Sequence, residues 1–186
     1  MPQDYAQLPQ NLPRPQDDGA AAHLAGLRLP EIVLPSTDGS SASLGEMHGR
    51  WAIYIYPMTG LPGAALPDGW DGIPGARGCT PQSCSFRDHH AELQSLKTGV
   101  FGLSTQHTDY QREARDRLHL PFELLSDPEL KLKTLLHLPT FTVAGMELYK
   151  RLTLIVEDGM IEKVFYPVFP PDKNANEVLE WLRHHA

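Results

Sequence analysis

The chain holds two cysteines, five residues apart in Gly78-Cys79-Thr80-Pro81-Gln82-Ser83-Cys84, where a loop rich in proline and glycine runs into a helical pattern. A helix N-terminus presents unpaired backbone N–H groups and the positive end of the helix dipole. Both favour the anion of a cysteine in the first turn, so the pair reads as thiol redox chemistry. On an ideal helix, residues five apart are separated by about 7.5 Å of rise and about 140° of rotation, which puts their Cα atoms roughly 8–9 Å apart. A disulfide tolerates at most about 7 Å, so bonding the pair requires the first turns to unwind. The rotation also separates roles. Cys79 shares a face with Phe86 and Leu93 and is expected in a partly enclosed pocket, whereas Cys84 lies nearer Arg87, Asp88 and Ala91, within easier reach of a partner protein. An enclosed thiolate beside a more exposed second thiol suits a two-step oxidation, first to a sulfenic acid and then to a disulfide.

These residues need a scaffold, and the pattern along the chain supplies one. Trp51-Ala52-Ile53-Tyr54-Ile55-Tyr56 is a continuous apolar and aromatic run between breakers, as in a strand buried on both faces of a sheet. The stretch Pro57 to Gly78 follows, with four prolines and six glycines, long enough for a lid or binding loop. From Thr80 a helical pattern runs through Phe86, Leu93 and Leu96, with Pro81 in the first turn where its missing N–H costs nothing. Downstream, a strand is expected at 99–104, a helix at 109–118, a strand at 122–125, and a short helix capped by Asp127-Pro128-Glu129 up to Leu136. Strands at 152–156 and 160–166 flank Asp158-Gly159, a hairpin turn, and an amphipathic helix spans 174–185. Before all of these, Leu29 to Leu34 reads as a short edge strand and Ser43-Leu44-Gly45-Glu46 as one helical turn. The order implies an α/β protein with a mixed central β-sheet flanked by helices. Residues 1–25 read as an extended N-terminal arm, and 26–186 as the folded domain.

Composition narrows the partners. A net charge of -7 argues against nucleic acid or an anionic membrane, since either needs a basic patch. No stretch reaches the length of a membrane span, and the N-terminus lacks the pattern of a secretory signal, so a cytoplasmic location is the expectation. In a reducing compartment two close cysteines are more often catalytic or metal-binding than a structural staple. His89-His90 beside them do not complete a zinc site, because four ligands must converge tetrahedrally and one helix cannot supply that geometry.

Gly78-Cys79-Thr80, then Cys84 and Phe86-Arg87-Asp88, all placed after the aromatic strand ending in Tyr56-Pro57, resembles the peroxiredoxins, in particular the Q-type or bacterioferritin comigratory protein subgroup. The resemblance covers about residues 26–186 and includes Pro121-Phe122, Ser126-Asp127-Pro128 and Lys150-Arg151-Leu152. It implies a thioredoxin-like fold and a thiol-dependent peroxidase for hydrogen peroxide and organic hydroperoxides. Cys79 would be the peroxidatic nucleophile and Cys84 the resolving cysteine, with the disulfide reduced by thioredoxin or a similar dithiol protein. The family's active-site arginine matches Arg151, which would favour the thiolate and stabilise charge on the peroxide oxygens. No bound cofactor is implied, and relatives of this type are often monomers.

The sequence departs from the family pattern before Cys79. The usual proline lies seven residues ahead of the cysteine and a threonine three ahead, but here Pro57 is twenty-two ahead and the threonine position holds Ala76. Roughly fifteen residues are inserted. Thr59 is the candidate substitute for the missing hydroxyl if the insert loops out. Gln82 stands where many relatives carry glutamate, and Trp70 in the insert is either a pocket wall or a loop anchor. Two other functions fit the same fold. A redox-sensing module of low turnover is favoured if no hydroxyl touches Cys79, whereas a general disulfide oxidoreductase is disfavoured by the four residues between the cysteines, where Cys-x-x-Cys is usual.

Overall fold

A computed structural model describes residues 5–186. Its centre is a five-stranded mixed sheet in the order β5-β4-β3-β8-β9, the α/β architecture expected from the sequence. The strands are β3 (Arg50–Ile55), β4 (Thr98–Ser104), β5 (Glu123–Ser126), β8 (Leu152–Glu157) and β9 (Met160–Phe165). β3 pairs in parallel with β4 and antiparallel with β8, so it is flanked on both edges. Its alternation divides the core. Ile53 and Ile55 face one apolar cluster, while Ala52, Tyr54 and Tyr56 face another with Cys79 and Phe86.

The second cluster is covered by α1 (Cys79–Asp88), α2 (His90–Ser95) and α5 (Asn174–His184), and the first by α4 (Lys131–Leu136) with the N-terminal segment. α3 (Thr108–Leu118) follows β4. The single helix expected from Thr80 to Leu96 is two, because the chain breaks at His89. Asp127 accepts the N–H groups of Lys131 and Leu132 at 2.9 and 3.0 Å, as its position before α4 suggested. Asp158 and Gly159 have φ of 48° and 79°, as that hairpin turn demands.

Three local differences stand out. The early strand is β1 (Val33–Pro35), paired with β2 (Ser41–Ser43) rather than spanning Leu29–Leu34, because Pro30 cannot donate within a ladder. That ladder extends through Ser43, so the expected turn begins one residue later, closed by the Met47 N–H on Leu44 O at 3.4 Å, and forms no helix. A further hairpin joins β6 (Thr140–Val143) to β7 (Met146–Tyr149).

Packing also begins before Gly26. Ala21 and Leu24 lie in the core, with Leu24 wholly buried, and burying a leucine is worth roughly 1.5–3 kcal/mol. The preceding residues are tied to the domain by side-chain contacts. Asp18 receives a hydrogen bond from Tyr166 at 2.8 Å and pairs with Lys150 at 2.9 Å, and Arg14 lies over the Phe169 ring. The insert at 57–78 has a small core of its own. Trp70 and Ala76 pack with Leu148 of β7, and Phe141 of β6 meets the Trp70 ring at 6.0 Å.

Candidate active site

α1 begins at Cys79, immediately after a residue that must be glycine. Gly78 has φ of 113°, and a Cβ there would stand 2.4 Å from Pro171 and 2.9 Å from Leu8. The helix start is therefore wedged between the turn before α5 and the N-terminal arm. Cys79 is only 3% exposed, and both cysteines are free thiols. Below α1, Tyr54 stacks on Phe86 at 4.5 Å and donates to Ser83 Oγ at 2.9 Å, fixing the helix on the sheet. Burial holds the Tyr54 and Tyr56 phenols far above their usual range, so both stay protonated beside the sulfur's helix.

Arg151, one residue before β8, reaches across to that helix start. Its Nη2 lies 3.1 Å from Cys79 Sγ and also donates to the carbonyls of Ala76 at 3.0 Å and Arg77 at 3.4 Å. Nε donates to Gly75 O at 3.2 Å, and Nη1 to Gln82 Oε1 at 2.5 Å. The end of the insert thus cradles the guanidinium with main-chain oxygens. Gln82 is itself held from behind, since its Nε2 donates to Asn174 Oδ1 at 3.0 Å, which also accepts from Thr153 at 2.7 Å. Every oxygen on Arg151 belongs to a neutral group. No carboxylate among the described residues competes with the sulfur for its charge.

Thr59 does not take the place expected for it. Its hydroxyl bonds Gln106 Oε1 at 3.3 Å, while its carbonyl accepts from Gln106 and Tyr110. Met58 and Gly60 on either side line the cavity at Cys79, but the Thr59 hydroxyl is turned to Gln106 and makes no hydrogen bond to the sulfur. The hydrogen bonds of Cys79 Sγ are to Ala76 O at 3.8 Å and from Arg151, neither involving a Thr or Ser hydroxyl. Two hydroxyl residues line a cavity with Cys79: Tyr5, whose hydroxyl donates to Ala64 O, and Thr80, whose Oγ1 is buried without a hydrogen-bond partner. Nothing in the sequence marks Thr80, because an unsatisfied group is visible only once its surroundings are known. Trp70 and Tyr5 wall the same cavity, so Trp70 is both pocket wall and loop anchor.

Cys84 sits in the second turn of α1, half-buried. Burial pushes its thiol up, with nearby Arg87 opposing. Arg87 pairs with Asp88 and donates to Leu118 O, and Arg77 pairs with Asp71. His89 bonds Glu92, and His90 packs on Phe122.

A buried thiol at a helix N-terminus, an arginine on its sulfur and a second thiol further along the same helix are joined by one sequence-wide match, the Redoxin family model over residues 24–179. The chain belongs to the redoxin family, in its peroxiredoxin Q/Bcp branch. Peroxiredoxin Bcp of Escherichia coli is 30% identical over 172 residues, covering 87% of this chain and 97% of that protein. The chloroplastic peroxiredoxin Q of Oryza sativa subsp. japonica is 27% identical over 85% of this chain, which spans 66% of the rice protein's length. Among solved structures, peroxidoxin BcpB from Mycobacterium tuberculosis superposes with a TM-score of 0.68 at 23% identity, over 87% of this chain and 97% of that one, a likeness of fold. Among the described residues of this redoxin, no helix is long and apolar enough to cross a membrane.

Proposed function

We propose that this redoxin is a thiol-dependent peroxidase whose nucleophile is Cys79. The observation that carries the reading is the 3.1 Å approach of Arg151 Nη2 to Cys79 Sγ at the start of α1. The Cys79 thiolate attacks one peroxide oxygen. An S–O bond forms as the O–O bond breaks, and the departing hydroxide or alkoxide takes up a proton to leave as water or alcohol. Sulfur is oxidised to the sulfenic acid and the peroxide is reduced. Arg151, held on neutral oxygens, presents its charge to the thiolate and to the oxygens as charge shifts along the breaking bond. Cys84 then attacks the sulfenic sulfur, releasing water and forming the Cys79–Cys84 disulfide after α1 unwinds. A dithiol protein of the thioredoxin type returns both thiols by exchange and is itself oxidised. This cycle needs no metal or organic cofactor, suits a reducing compartment such as the cytoplasm, and is complete within one monomer.

Turnover tests the division of labour. Cys84→Ser is expected to keep the first oxidation by hydrogen peroxide and to lose steady-state turnover with thioredoxin; retained turnover would remove Cys84 from the cycle. One observation favours a second reading, a redox sensor of low turnover: the sulfur of Cys79 has no Thr or Ser hydroxyl among its hydrogen-bond partners. A slow first oxidation in the wild-type protein would select the sensor.

A further inference from the structure

The space in front of Cys79 is very small. Tyr5, Met58, Leu66, Trp70, Arg77 and Thr80 line it together with Cys79, around a cavity of about 10 Å³. A space of that order leaves room for only a very small polar molecule. Hydrogen peroxide, with two oxygens, is close to that size, whereas an alkyl or aryl hydroperoxide must also place its carbon skeleton.

The walls come from the two parts of the chain that the Cys79 motif does not itself supply, the arm and the insert, and each is anchored elsewhere. The Tyr5 hydroxyl donates to Ala64 O, and Arg77 lies over its ring at 5.4 Å. The ring presses so closely on Gly60 that a Cβ there would stand 2.7 Å away. Trp70, 3% exposed, is fixed on Leu148 and Phe141. Among these walls Arg77 and Thr80 are polar; Arg77 Nε and the Thr80 hydroxyl are both buried without a partner, and a buried polar group is costly unless something bonds it. A larger cavity of about 270 Å³ lies between the arm and the β6–β7 hairpin; Arg151 lines it and Cys79 does not.

We propose that the arm and insert form a size filter over Cys79 that selects hydrogen peroxide against organic hydroperoxides, with the Thr80 hydroxyl hydrogen-bonding the bound peroxide. The filter rests on the peroxidase reading and names its substrate. Tyr5 and Trp70 exclude bulk, and Thr80 takes over the polar contact that neither Ala76 nor Thr59 makes.

The test uses the full reduced chain, with the rate of Cys79 oxidation by hydrogen peroxide and by cumene hydroperoxide followed by quenching and mass spectrometry. Wild type is expected to react about 100-fold faster with hydrogen peroxide, and Tyr5→Ala or Trp70→Ala to shrink that ratio about tenfold by admitting the larger substrate. Thr80→Val, which keeps the shape and removes the hydroxyl, is expected to slow hydrogen peroxide about tenfold. Comparable wild-type rates for the two peroxides, or an unchanged ratio in both opened variants, would overturn the filter while leaving the peroxidase reading intact. Should Trp70→Ala fail to fold, Tyr5→Ala near the chain's end still decides. Peroxide consumption that continues undiminished in Cys79→Ser would instead overturn the peroxidase reading itself.

Discussion

Arg151 concentrates the electrostatics of this site. It is 3% exposed, its guanidinium is bonded to three main-chain carbonyls and one amide oxygen, and the remaining partner is sulfur. A buried cation without a carboxylate is costly unless an anion forms beside it, and in the proposed cycle that anion is the Cys79 thiolate. Arg151→Met is therefore expected to slow oxidation by hydrogen peroxide by about 100-fold or more, the scale seen when one preorganised charge-stabilising donor is lost. A loss below about threefold in stopped-flow measurement would show that Arg151 serves packing alone. At this scale spacing marked the two cysteines, and the family resemblance marked Arg151, which the structure sets 3.1 Å from Cys79 Sγ. The sequence misled at Thr59, where the nearest hydroxyl along the chain is bonded to Gln106, and it was silent on Thr80 and Tyr5, whose roles follow only from what surrounds them.

The element that must move is α1. It is held at one end by the fit of Gly78 against Pro171 and Leu8, and along its length by Tyr54 and Phe86, yet disulfide formation requires its first turns to open. Cys84 links that opening to pH. Its thiol is pushed up by burial in the folded helix, whereas in the unwound form it returns toward the ordinary value of about 8.5. The unwound form binds fewer protons once pH passes that value. The thiol's contribution to the helix is accordingly full below about pH 8.5 and lost as pH rises through the folded value. Resolution of the Cys79 sulfenic acid is expected to accelerate steadily from pH 7 to beyond pH 9, followed as the second phase of tryptophan fluorescence. A flat profile would uncouple Cys84 from the step. Most elements were legible from hydrophobic period and turn chemistry, β3 above all. The β6–β7 hairpin was not, because its turn places Ala144 at φ 48° before Gly145, and alanine there gives no turn signal. The break at His89 was equally hidden, since helical periodicity continues across it.

Over the whole molecule, the arm and the insert together wall the cavity at the buried Cys79. The arm, expected to be extended, has a few well-spaced anchors: Tyr5 at the cavity, Asp18 on Lys150 and Tyr166, and Leu24 in the core. Anchors so sparse leave no periodic signal to read. The bonds from Lys150 and Tyr166 hold the Asp18 carboxyl well below the usual carboxylate range. The stabilisation they bring is present above about pH 4 and is lost as pH falls through the lowered value. Asp18→Asn is expected to speed amide hydrogen exchange across residues 5–22 at neutral pH while α5 stays protected; identical exchange in the variant would mean that the salt bridge does not hold the arm.

The central claim is that Cys79 is the atom that meets peroxide. Its most direct test is intact-mass and peptide analysis of the reduced protein after one equivalent of hydrogen peroxide, in wild type, Cys84→Ser and Cys79→Ser. Wild type is expected to carry a Cys79–Cys84 disulfide, Cys84→Ser to gain one oxygen at Cys79, and Cys79→Ser to remain unoxidised on the same timescale. Oxidation of Cys79→Ser at the wild-type rate, with the oxygen on Cys84, would contradict the assignment.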